Sequence, residues 1–390
     1  MIQPDRKPRG DVFRRPGEPA PGARRPQEPR SFQGDDVAER GEFAFAGPFS
    51  QTAPADRAFV VVPCLNEADH IADLIRHLLD DPAWRDPLVV VADGGSTDGT
   101  VQIVQALAAE DLRVRLLDNP RRLQSSAVNL AAAHHGRGRR YMVRVDAHAG
   151  YPPAYVSRLV AEARRTNAAS VVVAMDTVGR GGFQSAAAAA QNSVLGAGGA
   201  AHRCGRASGW VDHGHHALFD LEHFFGVGGY DEGFRANEDA EFDVRLAQNG
   251  GRIWLSGETR ITYYPRATAG GLFRQYLNYG RGRARTLLRH RLRPKLRQML
   301  PVAVAPAAIA APFGLLEPAL AWPAACWIAA CLGAGVLLGV KTKSRAAIGS
   351  GVAAAVMHLA WSIGFWQQLL SGPGGKPSRP SLPAREGLGS

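Results

Sequence analysis

Hydrophobic positions fall into three regimes along this chain of 390 residues. Residues 1–57 hold few large apolar side chains, residues 58–290 alternate short apolar runs with amphipathic stretches, and residues 299–370 are apolar almost throughout. The middle regime opens with Phe59-Val60-Val61-Val62, wholly apolar and stopped by Pro63, the pattern of a strand buried on both faces. Ile71, Leu74, Ile75, Leu78 and Leu79 then recur at the spacing of one helix face. Residues 88–91 predict a second buried strand, Val101, Val104 and Leu107 a second helix, Val114, Leu116 and Leu117 a third strand, and Met142-Val143-Arg144-Val145 a fourth. The alternation predicts an α/β domain built on an open, Rossmann-like, mostly parallel sheet with right-handed crossovers. Ligands bind such sheets beyond the carboxyl ends of the strands, so the loops after Val62, Val91 and Val145 are where chemistry is expected.

Further along, Pro152-Pro153 predicts the start of a helix, residues 170–175 a strand, and residues 239–248 a helix with Phe242 and Leu246 inward, stopped by Asn249-Gly250-Gly251. Residues 252–255 read as a short strand, and the Ala- and Gly-rich residues 183–201 yield no element. The apolar tail divides into 299–316, 318–340 and 346–370. A transmembrane helix needs about 20 apolar residues, so the second and third qualify by length. The first carries Pro301, Pro306 and Pro312 and reads as a kinked span or an interfacial helix. The sequence therefore divides into an arm (1–57) too poor in apolar residues to fold, a catalytic domain (58–290), a membrane region with two or three spans (291–370), and a disordered tail (371–390).

Charge places these parts. The formal net charge is +11, with arginines gathered in the arm and over residues 274–297, directly before the apolar tail. That placement suits an anionic membrane surface and argues against a nucleic-acid partner. Both residues 274–297 and Lys341-Thr342-Lys343-Ser344-Arg345 are positive, which puts them on the cytoplasmic side of an inner membrane under the positive-inside rule. The four cysteines (Cys64, Cys204, Cys326, Cys331) form no CxxC pair, so neither a disulfide framework nor a zinc site is expected.

Five pieces carry candidate chemistry. Pro63-Cys64-Leu65-Asn66-Glu67 and Asp93-Gly94-Gly95-Ser96-Thr97-Asp98-Gly99-Thr100 follow the first two strands. A carboxylate at a strand end can accept hydrogen bonds from a base or ribose, and the glycines permit close backbone approach. Arg144-Val145-Asp146-Ala147-His148 sets Asp146 and His148 two apart at a third strand end, a spacing that can aim both at one divalent metal, Mn2+ or Mg2+. Such an ion would neutralise the diphosphate of a leaving nucleotide. Asn237-Glu238-Asp239 opens a helix and supplies a candidate general base in Asp239. Tyr279-Gly280-Arg281-Gly282-Arg283 offers guanidinium groups suited to phosphate oxygens.

In this order and spacing the pieces resemble the family 2 glycosyltransferases of GT-A fold, in particular the bacterial succinoglycan-type exopolysaccharide glucosyltransferases. The resemblance covers residues 58–290. It implies an inverting, metal-dependent transfer of a sugar, with UDP-glucose as the expected donor, onto a membrane-held acceptor such as a lipid-linked oligosaccharide. Glu67 and Asp93 would hold the uridine or its ribose, with Pro63, Asn66, Gly95, Ser96 and Arg144 as further donor contacts. Asp146 would lie at the metal and diphosphate, Arg281 and Arg283 would serve the diphosphate, and Asp239 would be the base with Glu238 beside it. Two departures stand out. The common Asp-x-Asp is here Asp146-Ala147-His148, and the Gln-x-x-Arg-Trp of processive synthases is absent, which favours one sugar per event. Three alternatives stay open: transfer to polyprenyl phosphate, a sugar nucleotidyltransferase, and a scaffold that only binds nucleotide-sugar. The second would need a glycine-rich basic loop after the first strand, and Pro63–Glu67 is neither. His202, His213, His215 and His216 remain candidates for metal or acceptor contacts.

Overall fold

The structure, a computed structural model, describes residues 57–197, 207–294 and 296–372. The expected arm apart from Arg57, the tail from residue 373, His202 and Cys204 lie outside the described residues.

The first half follows the predicted alternation: β1 (Ala58–Cys64), α1 (Ile71–Leu79), β2 (Val89–Asp93), α2 (Thr100–Glu110), β3 (Val114–Asp118), α3 (Gln124–His135) and β4 (Tyr141–Arg144). β1 lies between β2 and β4, and β2 pairs with β3, all in parallel. Successive residues of β1 face opposite layers. Val60 and Val62 pack with α1 and with α4 (Tyr155–Thr166), whereas Phe59 and Val61 pack with α3. That two-sided burial is why the strand reads as an unbroken apolar run.

The second half adds β5 (Ser170–Thr177), α5 (Gly182–Gln191), α6 (Val194–Ala197), β6 (Gly209–Val211), β7 (His215–Asp220), α7 (Leu221–Gly226), α8 (Glu238–Gln248), β8 (Ile253–Tyr263) and α9 (Ala269–His290). The sheet has eight strands in the order β3-β2-β1-β4-β7-β5-β8-β6, with β7 antiparallel to both neighbours and β6 antiparallel to β8. The sheet is therefore mixed and mostly parallel.

The departures from expectation have local causes. α4 begins at Tyr155 rather than at Pro152 because Ala154 adopts a left-handed conformation (φ 57°). β8 continues past Leu255 to Tyr263 through a bulge, where its pairing with β5 passes from Ser256 to Arg260. The Ala- and Gly-rich residues beyond 182 form α5, which had no clear sequence pattern.

The tail comprises α10 (Leu296–Val302), α11 (Val304–Ala310), a 3-10 turn (Ala311–Leu315), α12 (Trp322–Thr342), α13 (Arg345–Ile348) and α14 (Ser350–Ser371). Pro301, Pro306 and Pro312 fall within the first three pieces and keep them short. Two segments, Pro318–Thr342 and Arg345–Ser371, are long and apolar enough to cross a membrane. They are covered unequally: 22% of the most apolar window is buried in the first and 44% in the second. α14 gains its cover from α9. A Cβ on Gly280 would stand 2.0 Å from the Trp361 carbonyl oxygen, and one on Gly364 would stand 2.0 Å from that of Leu277, so the two backbones touch.

Candidate active site

The carboxyl ends of β1, β2 and β4 deliver the three expected loops to one side of the sheet. There the loops after β1 and β2 lock together. Asp93 accepts from the backbone N–H of Gly95 (2.7 Å) and Ser96 (2.9 Å) and from the Ser96 hydroxyl (2.5 Å). Ser96 Oγ in turn accepts from the Asn66 N–H (2.8 Å), and the Asn66 side-chain oxygen accepts from the Thr97 N–H (2.8 Å). Asn66, Asp93 and Ser96 thus spend their polar atoms joining the loops, while Pro63, Glu67 and Gly94 line the cavity beside them. Gly95, at φ 83°, holds a conformation that favours glycine, with the Arg122 guanidinium next to it.

That cavity has a volume of about 1980 Å³. Asp146 lines it beside Gln124, Arg144 and His215. Gln124 donates to Asp146 Oδ1 (2.9 Å), Arg144 Nη2 lies 3.3 Å from the same oxygen, and His215 Nε2 lies 3.8 Å from Oδ2. Burial alone would raise the Asp146 carboxyl, but Arg144, His215 and His148 more than offset it and hold it below the usual range. His148 turns to Glu67, Nδ1 to Oε1 at 2.8 Å, and this hydrogen bond raises its pKa. Burial pushes His215 down to about 4, which leaves a neutral imidazole beside an ionised carboxylate. Arg144 is buried with its Nε unpartnered and borders the cavity, a guanidinium only partly satisfied by protein.

The second wall is the start of α8. Asn237, at φ 62°, turns the chain into the helix, and its side chain donates to the Tyr279 carbonyl of α9 (2.9 Å). Glu238 is the buried member of the carboxylate pair, 3.9 Å from Arg144, and burial followed by the adjacent Asp239 raises it to about 7. Asp239 is the more exposed member and also borders the cavity. α9 contributes Gln275, Tyr279 and Arg283 to the wall. Arg281 points elsewhere, to Gln367 of α14 (2.7 Å). Pro301, Met357 and Trp361 of the tail also border the cavity.

Cys64 borders the cavity as well, but burial and then Glu67 push its thiol up to about 12, so it is no nucleophile. Of the four histidines singled out, His213 and His215 border the cavity, whereas the His216 side chain is fully buried (0% exposed) and reaches no ligand.

Residues 59–224 match the family model for Glycosyl transferase family 2. The chain is 53% identical over 313 residues to the succinoglycan biosynthesis protein ExoA of Rhizobium meliloti (strain 1021), a match that covers 80% of this chain and 95% of that protein. The chain belongs to glycosyl transferase family 2. Among solved structures, the mannosyltransferase PcManGT from Pyrobaculum calidifontis, in complex with GDP-Man and Mn2+, aligns with a TM-score of 0.51 at 20% identity, covering 81% of this chain and 87% of that one. At that identity the likeness bears on the fold, a GT-A-like mixed sheet. This family 2 glycosyltransferase thus gathers Glu67, Arg144, Asp146, His148, Glu238, Asp239 and Arg283 at one cavity, and adds Arg122, Gln124 and Tyr151, which carry no sequence signature. Arg122 comes from the loop after β3, which lacks a glycine turn to mark it, and Gln124 opens α3; Tyr151 donates to, and accepts from, the backbone of Asp146.

Proposed function

We propose that this enzyme is an inverting, metal-dependent transferase that moves a sugar, glucose from UDP-glucose, onto a lipid-linked saccharide at the cytoplasmic face of the inner membrane, in exopolysaccharide synthesis. The observation that carries the reading is the reach of the cavity. Pockets for a single small ligand run to about 300–1,000 Å³. A cavity of about 1980 Å³ lined by Glu67 and Asp146 and also by Pro301, Met357 and Trp361 has room for donor and acceptor together.

Asp146 and His148 would hold the metal together with phosphate oxygens of the donor. Among the described residues no group of three His, Cys, Asp or Glu side chains is placed to hold a metal ion. That fits an open site completed by substrate phosphates. The protein donors are one carboxylate held ionised and His148, whose Nδ1 meets Glu67 and whose Nε2 would be left to ligate. A divalent cation there supplies charge neutralisation to the departing diphosphate. Arg144 and Arg122 take phosphate oxygens from the protein side. Asp239 accepts the acceptor hydroxyl proton as that oxygen bonds to the anomeric carbon and the nucleoside diphosphate leaves with the electron pair of the broken bond. Glu238, turned toward Arg144, stays behind the reacting groups.

Arg235, Arg266 and Arg274 also border the cavity and favour a second reading, transfer onto a polyprenyl phosphate itself. A product sensitive to mild acid, formed without any hydroxyl acceptor, separates it from the first.

The test is to incubate the purified full chain in detergent with a panel of nucleotide-sugars and Mn2+ or Mg2+. We expect nucleotide release from one donor, abolished by chelation and by Asp146→Ala. Silence with every donor, together with pyrophosphate release from UTP and a sugar phosphate, would establish a nucleotidyltransferase instead.

A further inference from the structure

A continuous hydrogen-bonded chain runs from His213 and Asp243, which border the cavity, into the core. His213 Nδ1 meets Asp243 Oδ2 at 2.7 Å, Asp243 Oδ1 meets His216 Nε2 at 2.7 Å, and His216 Nδ1 meets the Tyr230 hydroxyl at 2.6 Å. The Arg144 Nη1 lies 3.5 Å from that hydroxyl. One assignment of protons satisfies every link. Arg144 donates to the Tyr230 oxygen, Tyr230 donates to His216 Nδ1, His216 Nε2–H donates to Asp243, and His213 donates to its other oxygen. Asp243 is the terminus toward which both ends donate. Its carboxyl is held below the usual range against the opposing effect of burial by His216 and His213.

The places these residues occupy matter more than their number. Asp243 lies four residues after Asp239, so the two share one face of α8, a turn apart. His216 belongs to β7, and Tyr230 to the turn before α8, where its backbone N–H donates to Asn129 Oδ1 (2.9 Å). Arg144 ends β4 and stands between Asp146 (3.3 Å) and Glu238 (3.9 Å). The chain therefore ties the two walls of the cavity together: α8 with its carboxylates, and the β4 end with Asp146. Phe219, Phe224 and Phe242 pack around the Tyr230 ring, so the link from Tyr230 to the buried His216 is sealed from water.

We propose that Asp243, His216 and Tyr230 are positioning residues, which fix the first turn of α8 and the Arg144 guanidinium relative to Asp146 in the geometry that sugar transfer requires. The proposal rests on the transferase reading above, but its experiment has an arm that does not. Tyr230→Phe deletes one hydroxyl and keeps the ring packing; Asp243→Asn removes the charge at the terminus. In the full chain in detergent, hydrogen exchange of the 238–243 amides should quicken about tenfold in Tyr230→Phe, with the melting midpoint and exchange elsewhere as in the wild type. With the sugar nucleotide selected by the donor panel, kcat should fall about tenfold or more in both variants while the donor KM stays within about twofold.

Unchanged exchange over 238–243 would overturn the proposal, as would exchange that quickens with no loss of kcat. Loss of kcat only in proportion to a fallen melting midpoint would make the chain merely structural and would equally overturn it. If the wild type turned over no donor, the transferase reading would fail, and the exchange measurement would still decide whether the chain fixes α8.

Discussion

Glu238 is a buried carboxyl beside a second carboxyl, and its environment sets a measurable pH dependence. Its folded pKa is raised from 4.5 to about 7, chiefly by burial and then by Asp239. The folded state therefore binds the proton more tightly than the unfolded one, so stability from this group is complete below about pH 4.5 and is lost as pH rises through about 7. Glu238→Gln should remove that loss. Thermal melts should show the variant more stable than the wild type at pH 8 and equal to it near pH 4.5; parallel melting curves across the range would contradict the assignment. Glu67 offers a second test. Its contact with His148 orients the ring, and such supporting partners are worth about 10–100-fold in metal affinity. Glu67→Gln should raise the Mn2+ concentration for half-maximal donor turnover by about that factor; an unchanged requirement would remove Glu67 from this role. At this scale the sequence was partly readable. Glu67, Asp146, Glu238 and Asp239 stand out because strand ends and a helix start position them. Asp93 stands out equally, yet its oxygens are consumed by Gly95 and Ser96, and nothing in a strand-end carboxylate tells which way it turns. Tyr230 and Asp243 look like ordinary neighbours of a glycine turn and a helix, since their partners lie far off in sequence.

Among the elements, the strands of the first half were readable because burial on both faces leaves unbroken apolar runs, as in Phe59-Val60-Val61-Val62. β7 was not. It runs His215-His216-Ala217-Leu218-Phe219-Asp220, and its first residues face a polar cavity and a buried carboxylate, so no period emerges. β6 is three residues long, too short for a pattern. The pairing of α9 with α14 was equally hidden, because it depends on where two glycines meet in space. Gly364 tolerates no side chain, with a Cβ placed 2.0 Å from the Leu277 carbonyl. Gly364→Leu should force the helices apart at a cost of about 1–3 kcal/mol or more, as overpacking does. A drop in melting midpoint with loss of activity is expected. A variant that melts and turns over like the wild type would show that the helices do not touch.

At the scale of the molecule, the sheet, the loops and the apolar tail form one catalytic unit. α9 links them. On one side it meets the backbone of α14; on the other Arg285 donates to the Gly233 carbonyl and Arg289 pairs with Asp231, both in the segment that leads into Glu238 and Asp239. α13 packs on α5, which sets the positive connector Lys341–Arg345 beside the catalytic sheet. The hydropathy of the tail was evident from the sequence, and its division was not: prolines break the first apolar stretch, and α14 is half covered by protein. In the proposed reaction, transfer takes place in the cavity at the start of α8, with Asp239 receiving the proton. The most direct measurement compares wild type and Asp239→Asn for sugar transfer and for UDP binding in Mn2+. General-base catalysis is worth about 10²–10⁴-fold, so transfer should fall by that factor while UDP binds within about twofold of wild type. Transfer at the wild-type rate in Asp239→Asn, with UDP bound as before, would place the base elsewhere and contradict the account.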